Sequence, residues 1–299
     1  MAPLISIVIP TLHSPHIAET VRRLPLQTRY DCIKEIIVVG AEDTADWMDI
    51  PKVSFIYNKN QPSPAANRNI GANTATGDWI FFLDSDCEPD THWIAEIVNH
   101  LEDSYLSIAG SVDIPPRTTF WGQCDHYLTF EKLVRKFPYK PAKTKYAATL
   151  NFGIERNLFE NLNGFDESFT RAAGEDWEFA FRLRQIGYPI LLIPDAVVIH
   201  HHARTTLRSA WMHCQMYGSA TYRLWKMHRK SVYWQLASFL MRIPIIREMG
   251  VFIRLSFRGI CRPFRQPYLL KKPWLLFGML VLDLAHSYGI LLGALDGKG

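Results

Sequence analysis

The first part of the chain alternates short apolar runs with helix-length segments, and this order limits the fold more than any other feature. The runs are rich in β-branched and aromatic residues, and they cover residues 5–10, 35–40, 53–57 and 79–84. Because they lack a polar alternation, we expect strands that are buried on both faces of a sheet. Helical patterns lie between them at residues 16–28 and 64–76. The order predicts an α/β fold with a Rossmann-like, mostly parallel central sheet flanked by helices.

Polar residues stand at the carboxyl ends of three of these runs. They are Pro10 with Thr11, the segment 40–43 that contains Glu42, and the triplet Asp84, Ser85 and Asp86. In an open parallel sheet, ligands bind in the crevice outside the carboxyl ends of the strands. The sequence therefore predicts a binding site at this edge of the sheet.

Asp84 and Asp86 follow an apolar run directly, so two carboxylates are expected at the tip of a strand. Carboxylate oxygens in that position suit Mg²⁺ or Mn²⁺ bridging a diphosphate. Two aspartates after a strand are also typical of a turn or a helix cap, and the spacing alone leaves both interpretations open. Arg68, in the helical segment before this strand, either meets a phosphate or ribose at the strand edge or faces solvent.

Glu175 and Asp176 stand at the start of a helical pattern that ends at Gly187. Carboxylates at a helix N-terminus commonly serve as caps, because the helix dipole stabilises their charge. The same position favours the ionised carboxylate, which is the form a general base needs before it takes a proton from an acceptor hydroxyl. The pattern therefore leaves a structural and a catalytic interpretation open.

Seven ordered blocks between about residues 4 and 210 carry a family resemblance. They are Ile-Val-Ile-Pro-Thr, Ala-Asn-Arg-Asn-Ile-Gly-Ala, Phe-Leu-Asp-Ser-Asp, Gly-Phe-Asp-Glu, Gly-Glu-Asp, Arg-Leu-x-x-x-Gly-Tyr and Pro-Asp-Ala-Val-Val-x-His. In this order the blocks resemble family 2 glycosyltransferases of the GT-A fold. The resemblance implies an inverting transferase that uses a nucleotide diphosphate sugar and a divalent metal.

The resemblance also implies roles for individual residues. Asp84 would face the ribose of the nucleotide and the metal, and Asp86 would face the metal and the diphosphate. Arg68 would lie on the nucleotide side. Asp176 would be the catalytic base, and Glu175 would be its neighbour at the acceptor edge.

One block departs from the family pattern, and one adds a ligand. Many relatives have an Asp-Asp or Asp-Asn pair directly after the second strand. This chain has Gly40 and Ala41 there, and Glu42 and Asp43 follow them. Glu42 is therefore a candidate to read the nucleobase from a shifted turn, and the base itself is left open. A histidine after Pro-Asp-Ala-Val-Val joins the metal site in the resembling family, which points to His200 as a ligand. His202, two residues on, and a purely structural role for both remain alternatives.

The C-terminal part of the chain is strongly basic. Residues 203–299 hold 15 Lys and Arg against 3 Asp and Glu, whereas residues 1–202 hold 18 against 26. The cations alternate with Trp, Phe, Leu and Ile, which favours helices at an anionic membrane surface. A merely solvated basic face and a nucleic-acid site are the alternatives. A mostly apolar segment at residues 273–295 is interrupted by Asp283, His286 and Ser287, so we expect it to lie in the interface or on neighbouring helices in preference to spanning the membrane.

The sequence thus predicts two parts, a GT-A glycosyltransferase domain at 1–210 and a helical, basic, amphipathic, membrane-associating extension at 211–299. The five scattered cysteines and the lack of a signal-like N-terminus favour a reducing compartment, on the cytoplasmic side of the cell membrane, with peripheral or monotopic attachment. The expected acceptor is a saccharide or lipid-linked saccharide of cell-surface polysaccharide synthesis, with no nucleic-acid partner. A sugar nucleotidyltransferase and a noncatalytic membrane-bound scaffold of the same fold are the alternatives.

Overall fold

The computed structural model describes residues 3–42, 46–59, 63–101, 104–135, 140–202, 204–229, 262 and 266–296. The chain forms two compact units, one made of residues 1–115 and 132–201 and the other of residues 116–131 and 202–299. The sequence-based boundary at residue 210 falls inside the second unit, and segment 116–131 groups with that unit as well. As a statement about domains, the boundary stays a prediction. The basic stretch between residues 230 and 261 lies outside the described residues.

The first unit contains the sheet and most of the short helices. Its strands are β1 (Ile5–Leu12), β2 (Ile33–Ala41), β3 (Val53–Tyr57), β4 (Trp79–Leu83), β5 (Cys87–Pro89), β6 (Ser107–Asp113), β7 (Ala142–Thr144), β8 (Asn151–Glu155) and β9 (Ile190–His200). Its helices are α1 (Ile17–Arg23), α2 (Pro64–Thr74), α3 (Trp93–Val98), α5 (Arg156–Asn161) and α6 (Glu175–Gln185), and the second unit contributes α4 (Phe120–Thr129), α7 (Leu207–His228) and α8 (Trp274–Asp296).

The strands form one mixed sheet in the order β3-β2-β1-β4-β8-β6-β9-β5, with β7 also paired to β9. β1 to β4 run parallel to one another, and β6 runs parallel to β9. β8 is antiparallel to β4 and β6, and the short strands β5 and β7 are antiparallel to β9. The predicted α/β class with a mostly parallel sheet is confirmed. The segment 115–145, which is rich in Lys, Tyr and Pro and has no regular pattern in the sequence, contains α4 and β7.

Aromatic side chains pack α5 and α6 against the sheet. Phe82 of β4 lies 5.4 Å from Phe159 of α5, and Phe159 lies 5.5 Å from Phe179 of α6, measured between ring centroids. Phe165, in the loop between these helices, is 4.8 Å from Phe179. All four side chains are buried, and burying a Phe contributes about 1.5–3 kcal/mol. This packing fixes the N-terminus of α6 relative to the end of β4.

Asn151 supplies hydrogen bonds to the backbone where the register between β6 and β9 is irregular. The shift lies between Gly110 and Ser111, and such an irregularity interrupts the ladder and leaves carbonyls without backbone donors. The Asn151 side-chain amide donates to the carbonyls of Ser111 and Ala196, each at 2.9 Å, and its oxygen accepts from the indole N–H of Trp93 at 2.9 Å. β9 therefore continues past the irregularity to His200.

The second unit is built around the packing of α8 on α7 and α4. Its core contains Cys124, Cys214, Leu275, Met279 and Leu282. A Cβ at Gly218 would lie 2.0 Å from the His286 carbonyl, and a Cβ at Gly289 would lie 1.9 Å from the Gln215 carbonyl. The two glycines therefore permit a backbone contact between α7 and α8 that larger residues would prevent.

A buried carboxylate ties α4 to the start of α7 in the same unit. Asp125 accepts hydrogen bonds from Arg204 Nε at 2.8 Å and from His213 Nδ1 at 2.7 Å. Burial raises the pKa of the Asp125 carboxyl, but the combined effect of His213 and Arg204 in the opposite direction is larger. The pKa of Asp125 therefore lies well below its usual value. Cys214 lies 3.4 Å away, and three ligand types thus meet at this point. Because a guanidinium already neutralises the carboxylate, the group is a structural ion-pair network.

We predict that Gly153→Ala destabilises the first unit by overpacking. A Cβ at position 153 of β8 would lie 2.1 Å from the Phe81 ring on the paired strand β4, and that ring is 1% exposed and packed on Trp93. Adding one methyl group to such a core costs about 1–3 kcal/mol of unfolding free energy. Chemical denaturation of the variant measures this loss.

The control for this prediction uses the double variant Phe81→Leu, Gly153→Ala. Removing the ring makes room for the methyl group, so Gly153→Ala should cost clearly less in the Phe81→Leu background than in the natural chain. An equal cost in both backgrounds would contradict the steric explanation.

Candidate active site

The carboxyl ends of β1 and β2 form one side of the site. These strands are parallel neighbours, with Pro10 opposite Val39 and Thr11 opposite Gly40. The Thr11 hydroxyl donates to Glu42 Oε1, and the Ser14 backbone N–H donates to the same oxygen at 2.9 Å. The sequence expectation that Pro10, Thr11 and Glu42 meet at one edge therefore agrees with the geometry. Residues 43–45, including Asp43, lie outside the described residues.

The loop that follows β4 is fixed at Ser85. Its carbonyl accepts from the Thr20 hydroxyl at 2.9 Å and from the Ser14 hydroxyl at 3.2 Å. Two side chains from the region of α1 thus hold the backbone between Asp84 and Asp86 in one position. The sequence did not identify Ser14 and Thr20, because their role depends on a contact with residues more than sixty positions away.

Asp86 and His200 come together because β5 turns back along β9. Cys87 of β5 pairs with His200, and the His201 backbone N–H donates to the Asp86 carbonyl at 2.8 Å. His200 Nε2 lies 3.3 Å from Asp86 Oδ2. The ligand atoms of Asp86, Cys87 and His200 all lie within 4.8 Å of one another. Burial, and then the nearby carboxylates, raise the pKa of the Cys87 thiol well above its usual value. Asp86 and His200 supply the oxygen and the nitrogen ligand atom of this candidate group.

Arg68 of α2 joins two carboxylates that belong to different elements. Its Nη2 donates to Asp84 Oδ1 at 2.7 Å, and its Nη1 donates to Glu175 Oε1 at 2.8 Å. Arg68 is only 2% exposed. Burial lowers the pKa of its guanidinium, but attraction to Asp84 and Glu175 raises it more, so the cation is retained. The solvent-facing alternative is therefore excluded, and a direct role of Arg68 toward the nucleotide stays a prediction.

Glu175 and Asp176 begin α6 as predicted, but they are buried. Burial, and then the negative charge of Glu175, raise the pKa of Asp176 to about 8. Burial also raises the pKa of Glu175, although Arg68 opposes this. The helix dipole alone predicts an ionised carboxylate, but burial has the larger effect on the pKa of Asp176 here. Asp176 also accepts the backbone N–H of Trp177 at 2.8 Å, and Glu175 Oε2 has no hydrogen-bond partner among the described residues.

Asn69, next to Arg68, holds the turn that precedes α6. Its amide donates to the Phe165 carbonyl, and its oxygen accepts from the Phe165 backbone N–H, both at 2.9 Å. This paired contact fixes the Gly-Phe-Asp turn against α2. The motif Asn67-Arg68-Asn69 was visible in the sequence, but its use in tying α2 to α6 was not.

The remaining histidines divide between the two units. His201 Nε2 lies 3.1 Å from Glu88 Oε2, beside His16. His202 belongs to the second unit, where its Nδ1 accepts the Arg204 backbone N–H at 3.4 Å. Of the described histidines at the end of β9, only His200 belongs to the group of ligand atoms with Asp86. Asp84, which was expected to bind the metal, pairs with Arg68 and lies outside that group.

Known proteins share the fold and part of the sequence. The human polypeptide N-acetylgalactosaminyltransferase 14 is 27% identical over 204 residues, covering 60% of this chain and 37% of that protein. The O-antigen biosynthesis protein RfbC of Myxococcus xanthus is 27% identical over 254 residues, covering 75% of this chain and 19% of that protein. The chain thus spans well under half the length of these relatives.

A solved structure resembles nearly the whole chain. The mannosyltransferase PcManGT from Pyrobaculum calidifontis, in complex with GDP-Man and Mn²⁺, has a TM-score of 0.64 and 18% identity, covering 97% of this chain and 88% of that chain. At this identity the likeness establishes the GT-A fold. The family model for glycosyl transferase family 2 matches residues 6–162 of the 299, a range that includes nearly all of β1, α2, β4 and the loop after β4 with Asp84 and Asp86. The protein therefore belongs to glycosyl transferase family 2, as the order of its sequence motifs predicted.

Proposed function

We propose that the protein transfers a sugar, with inversion, from a nucleotide diphosphate sugar to a hydroxyl of a saccharide or lipid-linked acceptor. One observation carries this proposal. A carboxylate–imidazole pair stands at the strand ends, and Arg68 links the neighbouring loop to a buried pair of acids on α6. Sugar transfer needs both parts, since one stabilises the departing diphosphate and the other removes a proton from the acceptor.

The nucleotide is proposed to bind at the ends of β1 and β2. Thr11 and Ser14 orient the Glu42 carboxylate, which is the only acid among the described residues of the β2 end. A carboxylate held in this way accepts hydrogen bonds from a base or ribose. Asp84, oriented by Arg68, offers a second acceptor for ribose hydroxyls on the other side of β1.

Asp86 and His200 fit a divalent cation. They offer one carboxylate oxygen and one imidazole nitrogen 3.3 Å apart, whereas the thiolate of the neighbouring Cys87 would be a soft ligand that suits neither Mg²⁺ nor Mn²⁺. Mg²⁺ is usually held by oxygen ligands alone, so the imidazole favours Mn²⁺ of the two ions. Held there, the ion would supply positive charge that stabilises the nucleoside diphosphate leaving group when its bond to the anomeric carbon breaks. The similar mannosyltransferase was solved with Mn²⁺ and GDP-Man.

Asp176 is the proposed general base. A base works best when its pKa lies near the operating pH, and burial brings the pKa of Asp176 to about 8. In its ionised form, the carboxylate takes the proton of the acceptor hydroxyl while the oxygen attacks the anomeric carbon. Glu175 Oε2, buried and without a hydrogen-bond partner among the described residues, is proposed to accept a sugar hydroxyl and orient it.

The acceptor is proposed to be presented at the cytoplasmic side of a membrane, where the protein is attached peripherally. The excess of cations in residues 203–299 supports this location, as does α8, whose residues 274–295 are long and apolar enough for a membrane span. Of the most apolar part of that helix, 50% is buried within the protein, which supports attachment to the membrane without spanning it. The likeness to the O-antigen biosynthesis protein RfbC supports a role in surface polysaccharide synthesis.

The first prediction of this proposal concerns Asp86. Asp86→Ala should weaken Mn²⁺-dependent binding of UDP or GDP by at least about 100-fold, because one of two protein ligands is lost. Titration calorimetry of both nucleotides with and without Mn²⁺ measures this. Asp31→Ala is a suitable control, since this exposed acid pairs with Arg29 just before β2, at the opposite edge of the sheet. Unchanged metal-dependent affinity in Asp86→Ala would remove this residue from the metal site.

The second prediction concerns Asp176. Asp176→Asn keeps the shape of the side chain and loses its basicity, so kcat of transfer should fall about 10²- to 10⁴-fold with nearly unchanged donor affinity. Glu178→Gln is the matched control, because Glu178 lies in the same helical turn but is paired with Arg182. Full transfer activity in Asp176→Asn would exclude the residue as the base.

The third prediction concerns pH. A carboxyl must lose its proton to act as a base, so a raised pKa moves the onset of activity upward, and the transfer rate should rise with pH and level off above about 8. Glu175→Gln removes the neighbouring negative charge and should shift this rise to lower pH. The readout is the pH dependence of kcat for both proteins at saturating Mn²⁺. An unshifted profile in Glu175→Gln would contradict the assignment of this limb to Asp176.

A further inference from the structure

The outer side of α8 is apolar along its whole length. Every side chain of residues 274–295 that is clearly exposed is a large apolar or aromatic one, and these side chains are between 40% and 77% exposed. They are separated by three, four or seven positions and therefore lie on one side of the helix. We refer to them as the α8 stripe: Trp274, Phe277, Leu280, Leu284, Tyr288 and Leu295. A helix of 23 residues is about 35 Å long, so the stripe is a long apolar surface.

The polar residues of α8 face the protein. Asp283 Oδ2 lies 2.8 Å from Arg262 Nη2, and both side chains are 3% exposed. His286 Nε2 lies 3.2 Å from the Thr221 hydroxyl, and Ser287 is buried. In the sequence, these residues counted against a membrane span and favoured a helix in the interface or on its neighbours. In the structure, Asp283 is neutralised on the inner side of the helix, so it imposes no such cost on the outer side.

The packing of α8 also limits what the stripe can do. Its inner side contacts α7 through the close approach at Gly218 and Gly289. Leu275, Met279 and Leu282 are fully buried in the core of the second unit. A helix held in this way offers one side to its surroundings. The geometry suits a helix that lies along a surface, with its axis in the plane of that surface.

Charge decides between a lipid surface and a second copy of the chain as the occupant. Residues 203–299 carry 15 cations against 3 acids, and one of these acids, Asp283, is buried with Arg262. Two copies joined through the stripe would associate two chains that share this excess of cations, and like charges oppose association. Anionic lipid instead complements them. Lys271, exposed at the start of α8, and the aromatic residues of the stripe are typical of the boundary between headgroups and acyl chains.

We propose that the α8 stripe inserts among the acyl chains of an anionic bilayer, with Lys271 at the headgroups. This inference rests on the membrane location in the proposed function and identifies the surface that produces it. The second unit then lies on one leaflet without crossing the membrane. Both the stripe and the basic charge contribute to the attachment, so high salt weakens it and leaves the apolar part in place.

The test compares two double variants of the full chain. Phe277→Gln, Leu284→Gln removes apolar side chains from the stripe, and Leu26→Gln, Ile186→Gln removes two exposed apolar side chains from the first unit. Binding is measured by co-sedimentation with vesicles of phosphatidylcholine alone and of phosphatidylcholine with phosphatidylserine, at low and high salt. The natural chain should prefer the anionic vesicles. The stripe variant should bind them at least about 30-fold more weakly, and the control variant should bind as the natural chain does.

Circular dichroism and Mn²⁺-dependent hydrolysis of a nucleotide sugar distinguish a specific loss of vesicle binding from a loss of folding or of catalysis. Unchanged folding and hydrolysis in the stripe variant, with lost vesicle binding, would support the inference independently of the acceptor. Equal vesicle binding by the stripe variant and the natural chain would overturn it. Failure of the natural chain to bind any vesicle would overturn both the inference and the proposed membrane location. A dimer in sedimentation analysis that the stripe variant abolishes, again without vesicle binding, would assign the stripe to a second copy and overturn the lipid proposal.

Discussion

The candidate active site depends on one buried cation. Arg68 extends from α2 to Asp84 after β4 and to Glu175 at the start of α6, and its planar, rigid fork suits two carboxylates at once. Without this guanidinium, two acids would lie close together in a poorly hydrated place, and breaking such a pair typically costs about 3–5 kcal/mol. Since Asn69 on the same helix holds the turn before α6, α2 determines the position of both the start of α6 and the loop after β4.

The mixed direction of the strands has a chemical consequence. If every strand were parallel, the segment after Asp86 would lead away from the carboxyl edge. Instead β5 runs antiparallel to β9, so the chain leaving Asp86 pairs at once with the chain arriving at His200. Asn151 makes this arrangement compatible with the core, because it accepts and donates where the β6–β9 register is irregular. The proximity of Asp86 and His200 is therefore a product of sheet topology, since the two residues are separated by more than a hundred positions in the sequence.

Local patterns predicted what depends on local structure. The apolar runs of β1 to β4, the helices α2 and α6 and the acids at strand and helix ends were all visible in the sequence. The helix α4 was not, because its residues 120–129 mix aromatic, polar and small side chains within a segment rich in Pro and Lys. The partners of Arg68 depend on a contact across 107 positions. The pKa of Asp176 depends on burial, a three-dimensional property, and the sequence argument from the helix dipole gave the opposite direction.

The environment of the C-terminal helix α8 also depends on three-dimensional contacts that the sequence does not show. Composition alone leaves three interpretations of an apolar segment with a few polar residues: a core helix, a span and an interfacial helix. The deciding quantity is the direction of the polar groups relative to the apolar ones. Arg262 forms an ion pair with Asp283 on the inner side of α8, and His286 contacts Thr221 on the same side. The polar side of α8 is therefore engaged in contacts within the protein. The exposed side then consists of large apolar residues, and the excess of cations in residues 203–299 supports the proposed anionic lipid over a second copy of the chain.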